Sequence, residues 1–247
     1  MPDFIIVGVQ KGGTTSLFNY LKTHPEIKLH NNKEIHFFDR YYNQGVSWYR
    51  SWFPLEMYGK VTGEATPNYI FYPNAIKRMK TMLPKVKLIV LLRNPIERAY
   101  SHYQMEKRKG REGLSFENAI KHEKLILEHE YIKVEEKGED YFSERLTNNS
   151  YLTRGLYAEQ LKRLFVYYDK SQVLIIDSKN FKKNTEVVLK EVYDFLELNQ
   201  VEGSKLEKNK NVHNYPLMNE ETKSYLEDFY RKPNEELFKL LNQRFDW

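Results

Sequence analysis

Apolar positions along the chain follow two periods, and the change from one to the other marks its elements. Phe4-Ile5-Ile6-Val7 is an unbroken apolar run ending at Gly8, the pattern of a strand buried on both faces. Ser16 to Thr23 follows as a helix that Thr14 or Thr15 can cap, and His24-Pro25 ends it. A second unit repeats the scheme. Asn74 caps a helix to about Met82, Pro84 stops it, and Lys87–Leu92 is the strongest buried strand of the chain. Asn94 and Pro95 stand at cap and first-turn positions of the next helix. Ser115 to Glu144, rich in Glu and Lys with apolar Ile120, Leu125, Leu127 and Ile132, predicts a solvated helix and a candidate lid over about 115–145. Tyr151–Tyr168 predicts a helix with Leu156, Leu161, Leu164 and Phe165 inward, and Gln172–Ile176 a third buried strand. Asn184 to Leu196 predicts a helix with Val187, Val188, Val192, Phe195 and Leu196 on one stripe. Two more are expected near Glu220–Tyr230 and Asn234–Leu241. Strands alternating with helices imply an α/β fold, a central parallel sheet flanked by helices, and no linker divides 1–247, so one domain is expected.

Composition narrows the chemistry. The 247 residues contain no cysteine, which removes disulfides, zinc–thiolate sites and thiol catalysis. No apolar run approaches the roughly 20 residues of a membrane helix. With no signal-peptide pattern at the start, a cytoplasmic location is expected. The 39 Lys and Arg exceed the 34 Asp and Glu by five, which favours an acidic partner.

Two segments say where that partner binds. Gly8-Val-Gln-Lys11-Gly12-Gly13-Thr14-Thr15-Ser16 joins strand to helix, where glycines let backbone N–H groups approach a phosphate and the helix dipole favours an anion. Gly8 and Gly13 have Walker A spacing and Thr15 takes its hydroxyl place, but Thr14 stands where that motif has lysine. The lysine precedes the paired glycines, at Lys11. Moreover, Leu88–Leu92 ends in Arg93 rather than a Walker B aspartate. The pair reads as a phosphate cradle without a magnesium site. Arg93-Asn-Pro-Ile-Glu-Arg-Ala-Tyr-Ser101-His-Tyr103 starts where a strand ends, the usual ligand position of open α/β sheets, and Arg93 with Ser101 is a fitting phosphate clamp.

The loop K-G-G-T-T-S and the later R-N-P-x-x-R-A-Y-S-H-Y resemble the sulfotransferases that use 3′-phosphoadenosine 5′-phosphosulfate. The nearer resemblance is to the branch containing the heparan sulfate glucosaminyl sulfotransferases and their bacterial relatives. Lys33-Glu34-Ile35-His36-Phe37-Phe38-Asp39 looks like that branch's K-E-x-H-F-F-D, and Gly63-Glu64-Ala65-Thr66-Pro67-Asn68-Tyr69 like its G-E-x-T-P-x-Y. Gly155-Leu156-Tyr157 fits its G-x-Y helix, and Pro233-Asn234 through Phe245-Asp246-Trp247 its C-terminus.

The resemblance implies a P-loop-like three-layer fold and a metal-independent, in-line transfer of the sulfuryl group. The acceptor would be a hydroxyl or amine of a small molecule, lipid or carbohydrate, with 115–145 an acceptor-side insertion. Lys11, Gly12, Gly13, Thr14, Thr15 and Ser16 would hold the 5′-phosphosulfate, with Lys11 at the leaving phosphate. Arg93 and Ser101 would bind the 3′-phosphate, and Tyr157 and Lys210 would also contact the nucleotide, with His213 near Lys210. Trp48, Trp52, Tyr69 and Tyr157 are the aromatics open to stacking on adenine. Glu34 would be the base, and His36 the second choice. Working well near neutral pH would require Glu34 to have a raised pKa. Ala65 departs from the lysine common in that branch, which counts against a heparan-type acceptor, and the absence of cysteine counts against a secretory-pathway enzyme. Two other classes compete. An ATP–Mg²⁺ kinase needs the Walker residues lacking here, and a nucleic-acid-binding module needs a basic stripe, whereas Lys and Arg are scattered among acids.

Overall fold

Five parallel strands form one sheet in the order β2-β3-β1-β4-β5. They are β1 (Phe4–Gly8), β2 (Ile27–Leu29), β3 (Val61–Ala65), β4 (Lys87–Leu92) and β5 (Val173–Asp177). The helices are α1 (Thr14–Lys22), α2 (Gly45–Arg50), α3 (Ala75–Met82), α4 (Pro95–Arg108), α5 (Phe116–Lys137), α6 (Glu144–Asn148), α7 (Tyr157–Tyr167), α8 (Ser178–Lys183), α9 (Thr185–Leu196) and α10 (Glu220–Leu241). The structure, a computed structural model, describes residues 1–54, 59–138, 140–201 and 215–247.

The described residues fall into two compact units, one from Met1–Leu92 and Leu164–Val212, the other from Arg93–Arg163 and His213–Trp247. The first holds the sheet. Every residue of β1 is buried, as are the last five of β4, which explains their unbroken apolar runs. Phe4 and Ile6 of β1, Ile89 and Leu91 of β4 and Ile176 of β5 pack with Leu17, Phe18 and Leu21 of α1 and Val188, Leu189, Val192 and Leu196 of α9. With a period of two, Ile5, Val7, Leu88 and Val90 fill the opposite face. The sheet order reverses about β1, which is where ligands of such sheets bind, beyond the carboxyl ends of the strands.

The second unit is built on α4, α5 and α10. Ala99 and Tyr103 pack with Phe116, Ala119, Ile120, Tyr151, Leu226 and Tyr230. Arg98, fully buried, donates to the Tyr151 carbonyl. The buried carboxylate of Glu123 accepts from Leu152 N at 2.6 Å, Thr153 N at 2.8 Å and Thr153 Oγ1 at 2.6 Å.

Several local expectations change. Helix α1 begins at Thr14 with Gly13 as its N-cap at φ 102°, and no side chain caps it. Asn74 and Asn184 precede their helices without side-chain caps, Asn74 because it is itself left-handed at φ 63°. Asn94 does cap, its Oδ1 accepting from Ile96 N and Glu97 N. Leu125, Ile132 and Val187 face solvent, because neighbouring Leu127, Val134 and Val188 occupy the inward stripes. Tyr151–Leu156 forms turns and a short 3₁₀ segment, so α7 starts only at Tyr157, and Phe165 on it is half-buried. The two tail helices are one, α10, with Pro233 inside it. Strands β2 and β3 were not anticipated, since β2 is three residues long and β3 contains Thr62, Gly63 and Glu64.

Candidate functional site

The loop between β1 and α1 is built by close backbone approach. Val9 N donates to Leu91 O at 3.0 Å and Gly12 N to Val9 O at 2.9 Å. A Cβ on Gly12 would lie 2.6 Å from Leu91 O, so only glycine fits there. Gly13 turns the chain into the helix, and Ser16 N and Leu17 N already bond to its carbonyl. Thr14 and Ser16 are buried and Thr15 is exposed, so the loop presents hydroxyls at a helix N-terminus.

Lys33 reaches this loop from the segment after β2. Its Nζ donates to Thr14 Oγ1 and Thr15 Oγ1, both at 3.0 Å, and to Glu34 Oε1 at 3.3 Å. Burial holds the Lys33 ammonium below the ordinary lysine range, against the opposing pull of Glu34. Glu34 continues the chain of charges. Its Oε2 lies 3.4 Å from His36 Nε2, and His36 Nδ1 lies 2.9 Å from Asp39 Oδ2. Asn68 Nδ2 donates to the same Asp39 oxygen at 2.6 Å.

These contacts set the protonation states. Burial pushes the His36 imidazole down, but hydrogen bonds to Asp39 and Glu34 outweigh it and raise the pKa to about 10. His36 is therefore a cation at neutral pH, donating to a carboxylate at each end. Burial pushes Glu34 up, yet the His36 hydrogen bond and the Lys33 charge bring it down to about 2. The elevation that a base working near neutral pH would require is thus absent, because two cations flank Glu34. Its side chain is 46% exposed, so water screens these attractions.

The backbone here is unusual. Lys11, Glu34 and His36 have φ of 69°, 67° and 55°, a left-handed region that residues with a Cβ seldom occupy. The segment holds this shape through β3 and the turn after it. Glu34 N bonds to Ala65 O at 3.1 Å, and Phe37 N donates to Tyr69 OH at 2.9 Å. Beneath them is Glu64, 3% exposed, which accepts from Tyr49 OH at 2.5 Å and Thr66 Oγ1 at 2.8 Å. Burial raises Glu64 to about 7 in spite of those donors.

In the second unit, Arg93 Nη2 lies 3.0 Å from Glu97 Oε2, an exposed pair one helical turn apart. Ser101 is buried on α4. Tyr157 is 2% exposed and donates its hydroxyl to the Arg93 carbonyl at 2.8 Å, so it holds the backbone after β4 and has no ring face to offer adenine. Tyr69 is buried too, whereas Trp48 and Trp52 are half-buried, with ring centres 5.5 Å apart. Lys210 and His213 lie outside the described residues.

The family model described as a sulfotransferase domain matches residues 1–236. The chain belongs to the sulfotransferase domain family. Among its relatives, the membrane-associated sulfotransferase kil1 of Dictyostelium discoideum is 32% identical over all of this chain and 66% of its own length. The heparan sulfate glucosamine 3-O-sulfotransferase 3B1 of Mus musculus is 30% identical over all of this chain and 65% of its own. The chain thus spans just under two thirds of these two relatives. The crystal structure of a sulfotransferase from Alicyclobacillus acidocaldarius superposes with a TM-score of 0.82 at 27% identity, covering 99% of this chain and 97% of that one.

For this sulfotransferase-family chain, the structure gathers Thr14, Thr15, Glu34 and His36 into one network in the first unit. Sequence reasoning gave no catalytic or binding role to Lys33, Asp39 or Glu64. Asp39 was signalled by its place three residues after His36, and Glu64 by being a lone carboxylate in a strand. The Lys33–Glu34 ion pair follows from their adjacency, whereas nothing in the spacing pointed to the contacts of Lys33 with Thr14 and Thr15.

Proposed function

We propose that the chain moves the sulfuryl group of 3′-phosphoadenosine 5′-phosphosulfate to a carbohydrate hydroxyl or amine, with Glu34 as base. One observation carries this reading: the hydroxyls of the glycine loop and the Glu34 carboxylate lie within reach of a single ammonium. An in-line transfer needs the leaving phosphate and the base on opposite sides of one sulfur, with little room between them.

The donor suits the residues present. The loop is too tight at Gly12 for a side chain, as close approach of backbone to phosphate requires, and its hydroxyls and cations match a phosphosulfate. Arg93, held at its carbonyl by Tyr157, is the residue for the 3′-phosphate; its exposed pair with Glu97 is weak, and a dianion would outcompete it. The chain's own residues then divide the work. Asp39 holds His36 as an imidazolium, and His36 orients Glu34. Glu34 takes the acceptor's proton. A carboxylate this weakly basic suffices, because a loose transition state has little acceptor–sulfur bonding and the proton leaves late, once that bond has made the acceptor strongly acidic.

A carbohydrate acceptor draws support from the relative named a heparan sulfate glucosamine 3-O-sulfotransferase, and from two half-buried rings, Trp48 beside Phe37 and Trp52 beside Trp48. Ala65 makes heparan itself the weaker choice within that class. The test is transfer of labelled sulfate from the donor to a panel of glucosamine-containing oligosaccharides, phenols and sterols. Labelling of a saccharide supports the reading, and labelling of phenols or sterols alone would overturn its acceptor.

A further inference from the structure

Lys33 is placed unlike any other cation of the network. Its side chain is only 15% exposed, and its ammonium bonds to two loop hydroxyls and to the carboxylate of Glu34. On the sulfuryl-transfer reading, the two hydroxyls belong to the leaving side and the carboxylate to the base side. A buried ammonium bound to two neutral hydroxyls and one half-exposed carboxylate is incompletely neutralised, and an anion entering the loop meets it first.

We propose that Lys33 is a catalytic residue of the transfer centre, its ammonium holding the oxygen that bridges sulfur and the 5′-phosphate of the donor. This rests on the sulfuryl-transfer reading above. In the reaction the acceptor oxygen or nitrogen forms a bond to sulfur while the bond from sulfur to the bridging oxygen breaks. The acceptor's proton goes to Glu34, and the electron pair of the broken bond stays on the bridging oxygen, which becomes a terminal oxygen of the 5′-phosphate. Negative charge grows on that oxygen, and a cation fixed there in advance stabilises the transition state more than the ground state. Lys33 has a second effect. While bound to Glu34 it depresses the carboxylate, and moving toward the donor releases that restraint, so the base strengthens only when the donor is present.

The bridging oxygen is a full phosphate oxygen in the product, so adenosine 3′,5′-bisphosphate probes the contact without any acceptor. Calorimetric affinity for this bisphosphate is compared among the wild type, Lys33→Met and Lys33→Arg, with Lys33→Gln as a second neutral variant should the methionine protein not fold. The expected result is a loss of about tenfold or more for the neutral variants, with Lys33→Arg retaining most of the affinity. In the ligand-free neutral variant, the Glu34 carboxyl should also titrate above its wild-type midpoint by NMR, a change that a packing role would not produce. Neutral variants that bind like the wild type would overturn the Lys33 role while leaving the sulfuryl-transfer reading intact. A wild type that fails to bind the bisphosphate at all would overturn both.

Discussion

Two clusters of charge, one in each unit, are built from similar residues and behave in opposite ways. In the first unit, Lys33, Glu34, His36 and Asp39 are joined side chain to side chain, and the network opens to water mainly at Glu34. In the second, Arg98 and Glu123 are buried and held by the main chain, Arg98 by the Tyr151 carbonyl and Glu123 by Leu152 N and Thr153 N. The first cluster has exchangeable partners and a strained backbone at Glu34 and His36, whereas the second sits on regular helices and fixes the chain between them. A charge that must meet a ligand is paired with side chains that can let go. A charge that organises a fold is paired with backbone that cannot.

Substitutions separate the two roles. Glu34→Gln should lower turnover by about three orders of magnitude, the size of a lost general base. It should leave bisphosphate affinity nearly unchanged, measured with the same protein by single-turnover transfer and by calorimetry. Equal turnover would move the base elsewhere. Arg98→Met should instead cost stability, about 3–5 kcal/mol in urea unfolding, because it strips the buried Glu123 of a compensating charge. A melting profile like the wild type's would remove Arg98 from the structural cluster.

Glu64 lies between these extremes, since it is buried like Glu123 but supports the segment that holds Glu34. Its folded pKa of about 7 exceeds the ordinary 4.5, so the native state binds more protons than the unfolded one between those values. Stability should therefore fall as pH rises from about 4.5 through about 7, by about 3 kcal/mol at most. Glu64→Gln should flatten that decline in denaturant titrations across the same window, and an unchanged slope would show that Glu64 does not titrate there.

The sequence disclosed these regions unevenly. Strands β1, β4 and β5 were legible because their sequences are apolar throughout or nearly so. Strand β3 was not, because Glu64 gave up apolar character to brace the neighbouring segment. The same trade hid Asp39 and Lys33, whose roles depend on contacts across the chain, Asp39 with Asn68 and Lys33 with Thr14 and Thr15. Helix α10 was divided at Pro233, which removes one backbone N–H but did not end the helix in its packed setting. Glu34 was legible from its motif, but its lowered pKa was not, since that depends on Asp39 and Glu34 together holding His36 as a cation in the folded chain.

The nucleotide that the glycine loop is proposed to take decides the function of the chain. Thermal unfolding of the chain with adenosine 3′,5′-bisphosphate, and separately with ATP–Mg²⁺, tests it directly. A ligand at about a hundred times its Kd adds about 2.7 kcal/mol to native stability. The bisphosphate should raise the melting temperature by several degrees, with ATP–Mg²⁺ doing much less. Stabilisation by ATP–Mg²⁺ without any from the bisphosphate would contradict the account.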